Sequence, residues 1–202
     1  MSGRGADVFS EAFDSTMGHE GGYVNDKTDA GGETYRGISR RFHPGWAGWK
    51  LIDEAKSGPE FPDNLKTAHW QTPLDPLVRL FYKQHYWDTW QGDAVAALSA
   101  GVAGEVFDSG VNCGVQRAVS WLQTAINVLN RNNALYRDLV VDGSLGPSTL
   151  AALKSYLAHD AAALLVKIMN VLQGAHYIEY MVKSPMQEKY ARGWFNRVRI
   201  GK

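Results

Sequence analysis

The sequence predicts a mainly α protein interrupted by one small, irregular β-hairpin, and three observations carry that reading. Phe9, Phe13 and Met17 recur at four-residue spacing, which is one apolar face of a helix. Val102, Val106, Ser109 or Gly110 and Cys113 share a second helical face, and Val115, Val119, Leu122 and Ile126 a third. Between Tyr23 and Thr34, turn formers are mixed with Tyr, Val and Thr, the composition of a short hairpin.

A chain of 202 residues makes one medium domain or two small ones and can bury a core unaided. Apolar residues at 45% and charged ones at 21% are ordinary for a globular protein. The formal net charge is zero, which advertises no nucleic-acid partner. The charge is uneven, with a net −4 over residues 1–100 and +4 over residues 101–202. The basic end from Lys183 onward reads as a solvated helix face or as a contact for an anionic envelope surface. Cys113 is the only cysteine, so no internal disulfide can form. The first residues carry no apolar run of signal-peptide type, and nothing approaches the 18 or so apolar residues of a membrane span. The expectation is synthesis in the cytoplasm without a signal peptide.

Glu20 continues the phase of the first helix, falling within roughly 20° of Phe9 at about 100° per residue. Gly21 and Gly22 would then end that helix, because glycine takes the left-handed C′ position cheaply. A carboxylate in the last turn, on the buried side, is disfavoured as an anion by burial and by the helix dipole. That is how a general acid is kept protonated near neutral pH. The competing reading is a buried ion pair between Glu20 and Arg36 or Arg40. The hairpin would bring a second carboxylate, Asp29 or Asp26, and the Thr34 hydroxyl back towards Glu20. Two carboxyl groups flanking a cleft are the minimum for cleaving a glycosidic bond. Metal chemistry fits the stretch poorly: His19-Glu20 begins H-E-x-x-H, but position 23 is Tyr, and Lys27 occupies a ligand position of a would-be calcium loop. No metal and no cofactor are expected.

The run from Glu20 to Ile38, E-G-G-Y-V-N-D-K-T-D-A-G-G-E-T-Y-R-G-I, resembles the signature of glycoside hydrolase family 108, N-acetylmuramidases of phages and bacteria that cut peptidoglycan. The resemblance implies a lysozyme-like helical fold, with the hairpin next to the catalytic helix and Glu20 as the catalytic acid. The order Glu20, Asp29, Thr34 is also similar to the Glu/Asp/Thr set of phage-type lysozymes, with four residues rather than five in the second gap. Asp29 and Thr34 are therefore the further catalytic candidates, and Tyr23, Asn25, Asp26 and Tyr35 the neighbouring substrate contacts. Asp108 and Asn112, four apart, share a helix face and are candidates to line the cleft opposite Glu20. Glu105, one turn from Asp108, is the rival second carboxylate. The runs F-Y-K-Q-H-Y-W-D (81–88), V-A-G-E-V-F-D-S-G-V-N-C (102–113) and G-W-F-N-R-V (193–198) are similar to the family as well.

Arg40 to Pro76 is proline-rich and reads as packed loop, apart from a turn or two of helix at Leu51–Lys56, with Trp46, Trp49 and Trp70 as core groups or sugar platforms. From Leu77 the pattern turns helical through Leu80, Phe81, Gln84 and His85, and a short helix follows at Ala94–Leu98. D-G-S-L-G-P-S-T (142–149) is an Asp-Gly turn followed by a proline at a helix start, and it resembles a motif of peptidoglycan-binding domains. Helices are expected at 148–157 and 160–182.

The expected organisation is a catalytic lobe at 1–100 and a helical, peptidoglycan-binding lobe at 101–202, packed as one compact unit. The resemblance implies hydrolysis of the β-1,4 bond between N-acetylmuramic acid and N-acetylglucosamine in peptidoglycan strands, at the cell wall or in the periplasm. It implies an endolysin or a secretion-associated muramidase, a monomer released by a holin or another export route. The alternatives are a lytic transglycosylase and a non-catalytic wall-binding or secretion-accessory protein.

Overall fold

The computed structural model describes residues 3–18, 22–25 and 31–199, with backbone alone for residues 3–7. These residues form nine α-helices and one three-stranded antiparallel sheet, so the mainly α expectation holds. The chain folds as two compact units, Phe13–His85 and Met1–Ala12 with Tyr86–Lys202.

Helix α1 is Gly3–Met17. It stops three residues before Glu20, because Gly18 takes the left-handed conformation (φ +52°) and its N–H bonds back to the Asp14 carbonyl at 3.1 Å. The sequence reading gave that role to Gly21 and Gly22; Glu20 itself lies outside the described residues. The apolar face itself is as expected, with Phe9 and Phe13 buried.

In the unit Phe13–His85, strands β1 (Tyr23–Asn25), β2 (Glu33–Tyr35) and β3 (Ile38–Ser39) form the sheet, one strand more than a hairpin. Thr34 sits opposite Val24 on one side and Ser39 on the other. β2 and β3 are joined by Arg36-Gly37, both with positive φ (44° and 79°). Two left-handed residues make the primed turn whose twist matches the strands. The Tyr82 hydroxyl donates to the Arg36 carbonyl at 2.8 Å, which pins the turn.

Helix α2 is Gly48–Ala55 and buries Trp49, Ile52 and Ala55. Helix α3, Ala68–Tyr82, starts nine residues before the expected Leu77 and contains Pro73 and Pro76. Both prolines face solvent, so the carbonyls they leave unbonded can be hydrated. The stripe Leu74, Val78, Phe81 and Tyr82 is buried, while Leu80 is 50% exposed. Burial of that stripe outweighs the proline cost and rotates the helix away from the Leu77–Leu80 face read from sequence.

In the second unit, Lys83–Trp87 is a π-helical turn running in from the first, and Asp88–Trp90 a 3-10 turn. Helices α4 (Gly92–Leu98), α5 (Ala100–Cys113), α6 (Val115–Val128), α7 (Pro147–Leu157), α8 (Ala162–Lys183) and α9 (Ala191–Phe195) follow. α5 packs on α4, α6 and α8, and Val102, Val106, Val119, Leu122 and Ile126 are fully buried, as their spacing predicts. Phe9 joins this core edge-on to Trp87 and Phe107, at 5.5 and 5.7 Å. The Asp142-Gly143 turn is held by Gln123, which accepts from the Gly143 N–H at 2.9 Å and donates to the Ser144 carbonyl at 3.0 Å.

A Cβ at Gly37 would lie 2.4 Å from the Tyr82 hydroxyl oxygen, and the backbone there is left-handed. Gly37→Ala should therefore destabilise by about 1–2 kcal/mol from the backbone alone, plus the clash. The loss should shrink in a Tyr82→Phe background, which removes the clashing oxygen. Gly104→Ala, with open space around it in α5, should be neutral or stabilising by about 0.5–1 kcal/mol. Urea unfolding midpoints of the four variants test this, and an equal cost at both glycines would refute it.

Candidate active site

The sequence candidates Glu20, Asp26 and Asp29 lie outside the described residues. What the structure shows is the frame on either side of them. Gly31 and Gly32, which follow Asp29 closely in the chain, are tied to the sheet by two hydroxyls. Ser39 Oγ donates to the Gly31 carbonyl at 2.6 Å and Thr34 Oγ1 to the Gly32 carbonyl at 3.2 Å. Thr34 is thus an anchor of this loop end, and its oxygen keeps lone pairs to accept from water. Ser39 is a residue that sequence reading missed. Its only signal is its pairing with Thr34 across the turn, which depends on register.

Tyr23 and Asn25 are on β1, where Asn25 is exposed and opposite Glu33. The Tyr23 hydroxyl donates to Glu33 Oε1 at 3.1 Å, and its ring meets Phe61 edge-on at 4.7 Å. Glu33 also pairs with Lys56 at 2.6 Å and Arg40 at 3.2 Å, and both cations reach Asp53 as well. Burial pushes the Glu33 carboxyl up, but the hydrogen bonds from Lys56 and Arg40 outweigh it and hold the group below the usual carboxylate range. Glu33 is therefore an anion that fixes the sheet rather than a proton donor. Tyr35 is a core group, 1% exposed and stacked on Trp46 at 6.1 Å.

Arg36 and Arg40, the two partners considered for Glu20, each have another carboxylate: Arg36 pairs with Asp75, and Arg40 with Glu33 and Asp53. Two clefts open in this unit, and half-buried Trp46 lines both. One, of about 360 Å³, is walled by His43, Leu77, Leu80, Phe81 and His85. The other, of about 570 Å³, is walled by Arg40, Trp49, Lys50, Asp53 and Glu54.

Asp108 and Asn112 share a face of α5, as read, and Asn112 Nδ2 donates to the Asp108 carbonyl at 2.8 Å. The Asp108 carboxylate accepts from Arg197 at 3.3 Å and Gln173 at 3.4 Å. It fastens the G-W-F-N-R-V segment and α8 to α5. Glu105, the rival carboxylate, is held by Asn170 Nδ2 at 2.7 Å and Ser109 Oγ at 3.1 Å. Burial pushes its carboxyl up to about 7, against those two hydrogen bonds. Among the described residues, no group of three His, Cys, Asp or Glu side chains is placed to hold a metal ion.

The family model for glycosyl hydrolase 108 matches residues 13–114, half of the chain. The chain belongs to glycosyl hydrolase family 108. A second family model, described as a predicted peptidoglycan domain, matches residues 117–199. Among solved structures, that of Brucella abortus SagA superposes with a TM-score of 0.57 at 24% identity, covering 96% of this chain and 90% of that one. That likeness is one of fold, mainly α and lysozyme-like. No curated protein is similar to the chain at a significant level. The enzyme is a glycoside hydrolase of the muramidase type that acts on the peptidoglycan of the cell wall. No helix among the described residues is long and apolar enough to cross a membrane.

The raised Glu105 carboxyl has a consequence for stability. Its folded value, about 7, lies above the ordinary 4.5, so its contribution is full below about pH 4.5 and is lost as pH rises through 7. Glu105→Gln keeps the shape but cannot ionise. Between pH 5 and pH 8 the variant should lose less stability than the wild type, by up to ~3 kcal/mol. Denaturant midpoints at the two pH values measure this, and parallel losses in both proteins would show that the Glu105 carboxyl is not raised in the folded state.

Proposed function

We propose that the enzyme hydrolyses the β-1,4 bond between N-acetylmuramic acid and N-acetylglucosamine, with Glu20 as the general acid. The observation that carries the reading is the E-G-G-Y-V-N-D-K-T-D-A-G-G-E-T run, which lies within the span matched by the family model. Glu20 protonates the glycosidic oxygen as the bond to the anomeric carbon lengthens. Asp29 holds the water that attacks the oxocarbenium-like centre from the opposite face, and Thr34 helps to fix it. Supporting this, the Gly31-Gly32 end of the loop that follows Asp29 is tied down by the Thr34 and Ser39 hydroxyls. A water-holding aspartate means inversion at the anomeric carbon, with carboxyl groups about 6.5–9.5 Å apart. Residues 1–100 carry the catalysis in this reading, and residues 101–202 recognise the wall. The enzyme works as a monomer and reaches the wall through a holin or another export route, as an endolysin or a secretion-associated muramidase.

Glu20→Gln should abolish clearing of outer-membrane-stripped cells while leaving the fold intact, a loss of several kcal/mol in transition-state stabilisation. Activity within about tenfold of wild type would remove Glu20 from the role. Asp29→Asn should cost much activity, but less than Glu20→Gln, since an amide still orients water weakly. Mass spectrometry of the digested wall should show free reducing muramyl ends. 1,6-Anhydro ends would make the enzyme a lytic transglycosylase, and retained β configuration by proton NMR would exclude the water-holding role of Asp29.

A further inference from the structure

The second unit has a cleft of about 360 Å³ whose wall includes Asn112, Arg117, His176, Tyr180 and Trp194. Three properties of it go together. The first is an uncompensated cation. Arg117 is exposed and donates to the Cys113 carbonyl at 2.6 Å, and no carboxylate pairs with it among the described residues. The acidic groups nearby are already taken: Glu179 pairs with Lys183 at 2.6 Å, and Asp108 with Arg197 at 3.3 Å. A guanidinium with donors to spare is shaped to take a planar carboxylate in two parallel bonds.

The second property is a closed cleft wall. Tyr177 is 4% exposed, and its hydroxyl is buried against the Cys113 thiol, so the polar contacts open to a ligand come from Arg117 and His176 instead.

The third is the state of the aromatic rings. Trp194 is stacked on Tyr177 at 5.2 Å and on Tyr190 at 5.9 Å. Tyr180 is stacked on His176 at 6.3 Å. A sugar ring needs an open aromatic face, and here the rings are already engaged with one another. The cleft therefore favours an anionic, partly apolar chain over a glycan.

We propose that this cleft binds the free C-terminal carboxylate of the peptide stem of peptidoglycan, held by Arg117 and His176 with the chain packed along Tyr180 and the Trp194 edge. The proposal rests on the peptidoglycan specificity given above, and it adds a peptide-reading site to an enzyme that cuts the glycan. The glycan strand is largely uncharged, whereas a stem whose last residue is not itself joined in a cross-link ends in a carboxylate. Such a site would direct the enzyme to wall rich in free stem termini.

His176 gives the site its own signal. Burial lowers its imidazole, Arg117 and Lys183 lower it further, and Glu179 opposes them. The other groups around it are Trp121 of α6 and Tyr177 and Tyr180 of its own helix, with Cys113 and Trp194 across the cleft. A bound carboxylate raises the imidazole value, so binding should take up a proton and weaken as pH rises through the bound-state value.

The test uses the full chain and diacetyl-L-lysyl-D-alanyl-D-alanine, whose only charge is its terminal carboxylate, beside its C-terminal amide and an N-acetylglucosamine tetramer. Calorimetry should show the acid binding at least tenfold more tightly than the amide, and Arg117→Gln should lose that margin. Arg117→Lys, with the charge but no fork, should fall between. Proton NMR should show the His176 imidazole titrating at higher pH with the acid bound. Equal binding of acid and amide, no binding by the folded wild type, or a His176 response to the sugar tetramer would overturn the proposal. The peptide has no glycosidic bond, so these outcomes are separate from the nature of the cleaved bond. Muramyl products without peptide binding would remove this site alone, and peptide binding with anhydro products would remove the hydrolytic reading alone.

Discussion

The hydroxyl of Tyr82, bonded to the Arg36 carbonyl over a glycine that leaves no room for a Cβ, fixes the sheet of the unit Phe13–His85 to α3. That contact sets where the two-residue turn lies, and the turn sets the register of β2 against β3. Register in turn places Thr34 beside Ser39, so that both hydroxyls reach the Gly31-Gly32 backbone. The other end of β2 is held by charge, with Glu33 between Lys56 and Arg40. Exposed ion pairs contribute little singly, but Glu33 is only 16% exposed and satisfies two cations that are shared with Asp53. Glu33 is thus an anion that holds the sheet rather than a proton donor.

The second unit is organised around α5, and its buried polar groups do the ordering. Glu105 and Asp108 lie on one side of that helix and bind Asn170, Gln173 and Arg197. The Arg199 N–H donates to Asn170 Oδ1 at 2.5 Å, so the same asparagine serves α5 and the C-terminal segment at once. The G-W-F-N-R-V run therefore has a structural purpose: its arginine clasps α5 while its tryptophan fills a stack with Tyr177 and Tyr190. With Asp108 committed there, Arg117, in the first turn of α6 and bonded to the Cys113 carbonyl at the end of α5, has no carboxylate partner among the described residues. The polar economy of the tail and the charge of the cleft are two results of one arrangement.

Family membership and geometry divide the chemistry between residues of different kinds. The catalytic candidates cluster in one short run because acid, loop and water-holding group must meet within a few ångströms of one bond. Groups that recognise a wall polymer have no such limit, and those named in the second unit come from α5, α6, α8 and α9. A motif can announce the first kind, whereas the second exists only once helices are packed.

The sequence alone determined the helical faces from Val102 to Ile126, the proline-started helix α7 and the family of the Glu20 run, because each depends on local periodicity or on contiguous residues. It put the end of α1 at Gly21 and Gly22, whereas the described helix stops at Met17 with Gly18 left-handed, since any of these glycines can adopt that backbone and local sequence does not choose among them. It misplaced the start of α3, because proline penalties are local while the compensating burial of Leu74 and Val78 comes from distant residues. Charge partners were beyond it altogether. Arg36 with Asp75, Arg197 with Asp108, and Arg117 with no carboxylate among the described residues are decided by contacts between residues far apart in the chain. Periodicity reports which side of an element is buried, but only tertiary structure decides which group stands opposite.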